Sequence, residues 1–355
     1  MNNILSGEEL SFQVKSGEYF YKNDFSGLDL KNADLSGGIF IEVIFDGSDF
    51  SNSNLKEAVF NKCSIKNACF SMAVLDETNF IGTNLLNSDF NNTGFNFTKF
   101  INCKIEFCNF SNALIKDVTT FLDSNLNNSV FKKTKIDESV FSSCNMENID
   151  FSLSDIFKTS FIGCSFKSNN FRNSKINLSF FKDADLSQTD FSNMDLTQIQ
   201  FHETKLSGCD FSGSKIKYGG FMWAKLQNSN FNNTYLELAN FFEAKLDDSS
   251  FISADLKAAS LQGAEINHCN FTGANLYQAQ MEKVCASDSI FKNSDFTFAD
   301  LSNSNLSDSN FSNTNLYLTN LHNIIEKNTW WSGSSKNFSR GTDLKRLKSE
   351  NWGDK

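Results

Sequence analysis

The residues able to do acid–base, nucleophilic or metal chemistry are few, and their spacing keeps them apart. Three histidines, His202, His268 and His322, stand among nine cysteines and forty-two Asp and Glu residues. His202 and Cys209 are near enough in sequence to suggest a base and a nucleophile, yet a five-residue cadence puts Cys209 on an inward position and His202 on an outward one. Carboxylate pairs such as Asp76-Glu77 and Asp247-Asp248 need burial or a charged partner to drive their pKa values apart, and an exposed surface supplies neither. No two cysteines have the two- or three-residue spacing of a zinc site; the nearest inward pair, Cys103 and Cys108, is one repeat apart. Gly-rich phosphate loops, nucleophile elbows and calcium-binding Gly-Gly-x-Gly-x-Asp nonapeptides are all missing. The sequence therefore predicts a non-enzyme with no catalytic residue, metal or cofactor.

The elements that would position any site come from a repeat. With 39 Phe and no Pro in 355 residues, the composition directs attention to internal periodicity before anything else. An apolar centre recurs every fifth residue from Phe25, Leu30 and Leu35 to Phe110 and Ile115, slips by one across 116–121, and resumes at Phe121 to run to Leu321. Period five fits neither a helix nor an ordinary strand; it fits a coil that turns one corner per unit. The residue two before a centre is nearly always small, and seven cysteines (Cys63, Cys103, Cys108, Cys144, Cys164, Cys209 and Cys269) occupy that slot, where a thiol serves as a small, readily buried apolar group. Centres also alternate, as in Phe191, Leu196, Phe201, Leu206, Phe211 and Ile216. That ten-residue super-period requires an even number of units per turn, and four is the smallest even number that encloses an interior.

Runs such as Ala33-Asp34-Leu35, Ala184-Asp185-Leu186, Ala254-Asp255-Leu256 and Ala274-Asn275-Leu276 resemble the A(D/N)LxX units of the pentapeptide-repeat family. The resemblance implies an all-β fold: a right-handed quadrilateral parallel β-helix with four units per coil. About 15 coils at a strand spacing of roughly 4.8 Å would make a rod on the order of 70 Å long. The expected organisation is one domain: an N-terminal cap over 1–20, a β-helix over 21–321, and a C-terminal cap or tail over 322–355 containing a short helix. Ser6 with Glu9 could cap a helix in the first segment. In the last, Leu344 and Leu347 share a helix face, and Trp330, Trp331 and Trp352 are placed to seal the final coil or to join two copies end to end.

If residues twenty apart lie one above another, the outer walls can be read as ladders. Lys135, Asp155, Lys175, Asp195 and Lys215 alternate in sign, a solvated arrangement. Lys205, Lys225 and Lys245 form a basic stripe ending at Glu265. Beside it run His202, Met222 and Phe242, then Glu203, Trp223 and Glu243. Apolar and aromatic side chains on an outer wall mark contact surfaces, and Trp is enriched at binding hot spots, so these nine residues are the predicted partner-binding patch.

The formal net charge of −10 disfavours direct nucleic-acid binding, which needs a basic stripe on a basic domain. Residues 1–9 show no basic segment followed by an apolar run, no stretch is long and apolar enough to span a bilayer, and an odd number of cysteines suits a reducing compartment. The expectation is a cytoplasmic protein, with export by a signal-peptide-independent route left open. The opening Asn23-Asp24-Phe25-Ser26-Gly27-Leu28-Asp29-Leu30 and the closing segment from Thr342-Asp343-Leu344 to Trp352 are similar to those of pentapeptide-repeat proteins encoded with bacterial type VI secretion clusters. That resemblance implies an interaction scaffold or adaptor whose partner is a secretion component or an effector. The alternative is a DNA-mimicking inhibitor or protector of DNA gyrase or topoisomerase IV, resembling the quinolone-resistance members, for which acidity is the argument; a host-directed effector is a third reading.

Overall fold

The computed structural model describes residues 6–350. Its fold follows from what one five-residue unit must do with its backbone. The apolar centre points inward, and the residue two positions later takes a left-handed conformation, with φ of 57° at Asn32, Asn52 and Asn92, which turns the chain through a corner. Asn tolerates this region better than most residues, which accounts for its abundance. Proline is locked near φ −65° and has no N–H to donate; here corner N–H groups donate to the next coil, as Asn52 does to the Ser71 carbonyl at 3.0 Å. A chain built this way has no place for Pro, and it has none.

Four such units close one coil, and the next coil stacks in register twenty residues on. The molecule is an all-β parallel solenoid of stacked coils, in two compact units divided between Asp185 and Leu186. In the first unit, nine three-residue strands from Tyr19–Tyr21 to Phe180–Lys182 form one parallel wall. A second wall holds the five strands Gly94–Asn96, Leu114–Lys116, Lys135–Asp137, Asp155–Phe157 and Lys175–Asn177. Lys135, Asp155 and Lys175 are direct register partners in it. In the second unit most rungs meet through single parallel bridges, Asp195 with Lys215 among them.

The interior is a set of aromatic columns. Phe40, Phe60, Phe80 and Phe100 stack with centroids 4.9–5.0 Å apart, and Phe211, Phe231, Phe251 and Phe271 with centroids 4.6–4.7 Å apart. All eight rings are solvent-excluded, so each coil covers an apolar face that a lone coil would leave wet. The small slot before each centre has a second duty that the periodicity does not announce. Its hydroxyl or thiol donates to the carbonyl of the centre one coil back, as in Thr78 to Leu55 (2.8 Å), Ser88 to Ile65 (2.7 Å) and Cys108 to Leu85 (3.0 Å).

The one-residue slip is absorbed in a 21-residue step: Lys99 pairs with Thr120 and Phe100 with Phe121, and Phe100 still stacks on Phe121 at 4.6 Å. Two successive left-handed residues, Asp117 (φ 51°) and Val118 (φ 59°), take up the extra length. A β-branched residue in that region is an outlier. Because such strain costs on the order of 1 kcal/mol, Val118→Asn is expected to raise stability by about 1 kcal/mol in urea unfolding, and Asn112→Val, at a regular corner, to lower it by a similar amount.

Helix α1 (Gly7–Lys15) covers the first coil. Ser6 accepts from the Glu9 N–H while the Glu9 carboxylate accepts from the Ser6 N–H, forming a capping box, and Leu10 and Val14 are buried beneath it. Gly7 lies so close to the Asp29 carbonyl that an added Cβ would sit 2.6 Å from it, which brings the helix directly onto the coil. Among the described residues, no helix is long and apolar enough to cross a membrane.

Candidate interaction surface

Outward positions are what this architecture offers to other molecules, because the inward ones are consumed by packing. All seven slot cysteines are buried. Burial pushes the Cys63 thiol up to about 11 and those of Cys103 and Cys269 up to about 12. A protonated thiol is a poor nucleophile and metal ligand. Cys209 donates inward to the Leu186 carbonyl at 3.1 Å, while His202 lies half-buried on the outer side of its strand. Among the described residues no group of three His, Cys, Asp or Glu is placed to hold a metal ion.

Many Asp and Asn residues just before a centre are turned onto their own backbone. Asp24 accepts from the Ser26 N–H at 3.0 Å and from its hydroxyl at 2.5 Å, and these bonds, the hydroxyl's foremost, hold its carboxyl below the ordinary range. One coil up, Asn amides donate to such carboxylates, as in Asn230 to Asp210 and Asn275 to Asp255 at 2.9 and 2.8 Å. The Asp/Asn preference of the repeat is thus turn chemistry, and part of the negative charge is committed to it.

The nine residues of the predicted patch lie on successive rungs of the second unit. Lys205, Lys225, Lys245 and Glu265 are register partners in that order, and Lys245 pairs with Glu265 at 3.4 Å. Met222 and Phe242 are half-buried beside them, while Glu203 and Glu243 are exposed at corners. Trp223 is the best defined. Its ring meets Phe242 edge-on at 5.8 Å and 88°, its Nε1–H donates to the Glu243 carboxylate at 3.0 Å, and 44% of the residue remains exposed. A large ring is therefore fixed in place with its free surface outward. His202 and Glu203 sit one rung before Met222 and Trp223, linked through the backbone by the Glu203 N–H and the Met222 carbonyl at 3.0 Å.

The neighbouring wall carries aromatics that the sequence reading passed over. Tyr218, Tyr235, Phe298 and Tyr317 are 46%, 55%, 42% and 49% exposed, and Tyr277, Phe298 and Tyr317 form an edge-to-face chain with centroids 5.7 and 6.0 Å apart. Tyr218 and Phe298 occupy corners (φ 58° and 61°), where Asn is common, while Tyr235 and Tyr317 flank their centres; those departures were the available signal.

At the C-terminal end the predicted group separates. Trp331 stacks on Phe311 at 4.6 Å with the Lys336 ammonium 4.2 Å above its ring, closing the Phe column. Trp330 does not seal the coil: the position before a centre points outward, and it is 61% exposed. Leu344 is 75% exposed while Leu347 is half-buried, so the two leucines do not form a buried helix face. Trp352 lies outside the described residues. Helix α2 (Leu344–Glu350) is instead held by His322, which is 2% exposed. The Asp343 N–H donates to its Nδ1 at 3.0 Å, which places the ring proton on Nε2, facing Glu350 at 3.0 Å. His322 and then Arg346 hold the Glu350 carboxyl below the ordinary range. Sequence gave little warning of this, since the position after a centre is outward elsewhere and becomes buried only where the tail folds over it.

A family model described as pentapeptide repeats matches in eight copies, at residues 40–71, 68–106, 179–217, 221–257, 254–293 and 294–325, more than half of the chain. Among solved structures, a pentapeptide repeat protein from the Arabidopsis thaliana thylakoid lumen is 29% identical, with 26% of this chain and 64% of that one covered and a TM-score of 0.26. The chain thus spans under two thirds of that protein. QnrB1, a plasmid-mediated fluoroquinolone resistance protein, is 19% identical over 57% of this chain and 88% of its own, with a TM-score of 0.34. HetL, involved in heterocyst differentiation regulation in the cyanobacterium Nostoc, is 18% identical over 68% and 90%, with a TM-score of 0.18. No curated protein sequence matches.

Proposed function

The chain belongs to the pentapeptide-repeat family, and we propose that it acts as a non-catalytic protein-binding scaffold whose second unit presents the contact surface. The observation that carries this reading is Trp223, half-exposed yet immobilised by Phe242 and Glu243. A pre-ordered aromatic loses little conformational freedom on binding, and such residues dominate interface energetics. Lys205, Lys225 and Lys245 beside it favour a partner that brings carboxylates to the rim, where charge sets approach rate and orientation. An effector or secretion component of a type VI system is the partner class implied by the opening motif, and a cytoplasmic setting is the one that an odd number of cysteines suits.

Affinity purification with the tagged chain from its native host, compared with Trp223→Ala and Phe242→Ala, tests the reading. Loss of a hot spot worth about 2 kcal/mol weakens binding roughly 30-fold, so a partner captured by the parent chain is expected to drop out with Trp223→Ala. Retention of the same partner by both variants would sink the proposal. DNA mimicry predicts instead that gyrase supercoiling falls on adding the chain and recovers when outward carboxylates are neutralised, with Trp223→Ala inert.

A further inference from the structure

The first unit carries a wall unlike its other three. Each of its nine strands, Tyr19–Tyr21 to Phe180–Lys182, turns its middle residue inward and two side chains outward. Of these eighteen outward residues, eleven are Ile, Val, Leu, Tyr or Phe, five are Asn, Ser or Thr, two are Lys99 and Lys182, and none is a carboxylate. Tyr19, Tyr21, Ile39, Ile81 and Ile162 are between 36% and 67% exposed. The remaining walls carry acids at equivalent positions: Asp24 and Glu106, Asp29 and Asp89, Asp76 and Asp155. Parallel sheets are ordinarily covered on both faces; this one is covered only from within.

From this we infer that the apolar wall of the first unit is a homodimer contact, its occupant the same wall of a second copy. Charge selects that occupant. In a chain of net charge −10, copies repel wherever carboxylates meet, and this is the wall whose strand residues can face those of a second copy without opposing carboxylates, acids such as Glu42, Glu138 and Asp183 standing at its corners. A two-fold axis makes the contact self-complementary, with two flat sheets about 10 Å apart as in a β-sandwich. Its size sets its strength. Nine strands at about 4.8 Å spacing and three residues wide give a footprint on the order of 400 Å² per copy, about half of what a stable interface buries per partner. The dimer should be weak and concentration-dependent.

Sedimentation equilibrium of the full chain from about 1 to about 500 µM, spanning the range expected of a small interface, tests this. The parent chain is expected to move from monomer toward dimer, and Ile39→Thr/Ile81→Thr, which keeps β-branched side chains, to weaken association at least ~10-fold. Ile81→Glu should abolish it, with circular dichroism confirming the fold. A parent chain monomeric throughout, a dimer indifferent to these substitutions, a dimer removed by Trp330→Ala, or adsorption to neutral phosphatidylcholine vesicles without self-association would each overturn the inference.

Discussion

Phe231→Ala should destabilise the second unit by about 4 kcal/mol, as expected for deletion of a fully enclosed ring. Phe231 has no solvent exposure. It stacks on Phe211 and Phe251 at 4.7 Å on either side and meets Phe221 and Phe241 edge-on at 5.8 Å. Its removal therefore breaks four aromatic pairs as well as opening a cavity, and each such pair contributes about 0.5–1.5 kcal/mol beyond burial. The rungs above and below are held by backbone bonds such as Phe231 N–H to the Ser250 carbonyl at 2.7 Å, which resist collapse into the void. A shift of the urea midpoint is the readout. Phe231→Leu, which keeps most of the volume, should cost less than about 1.5 kcal/mol. Equal losses for the two variants would show that the column is not packed as described.

The same column explains what could be read from the sequence. A centre such as Phe231 repeats because its environment repeats, so the inward residues and the four-unit coil were legible from spacing alone. Outward residues obey no such rule. Trp223 stood out because Ser and Asn prevail at its position, yet nothing in its own five-residue unit says that Phe242 and Glu243, one coil on, would hold it. Tyr218, Tyr235, Phe298 and Tyr317 escaped notice because they occupy different offsets within their units, and only folding gathers them on one wall. The apolar wall of the first unit is similarly scattered in sequence, two residues in every twenty. His322 was the hardest to foresee. Its burial depends on a tail that leaves the cadence, with Asp343 and Glu350 reaching back to both ring nitrogens.

A proline at a corner should be nearly as damaging as a lost core ring, although the side chain it replaces is exposed. Asn233 has φ 57° and its N–H donates to the Ile252 carbonyl at 2.9 Å. Proline cannot reach that φ and cannot make that bond, so Asn233→Pro must either reverse the corner or break the rung, at a cost of about 3 kcal/mol or more. Since each coil templates the next, the defect should spread to the neighbouring rungs, and limited proteolysis should then cut near residue 233 in a chain otherwise resistant there. Asn233→Gly separates conformation from contact. Glycine adopts the left-handed region freely and keeps the N–H, so that variant should remain within about 1 kcal/mol of the parent. If Pro and Gly behaved alike, the corner would not be the element that sets the turn, and the five-residue period would need another cause.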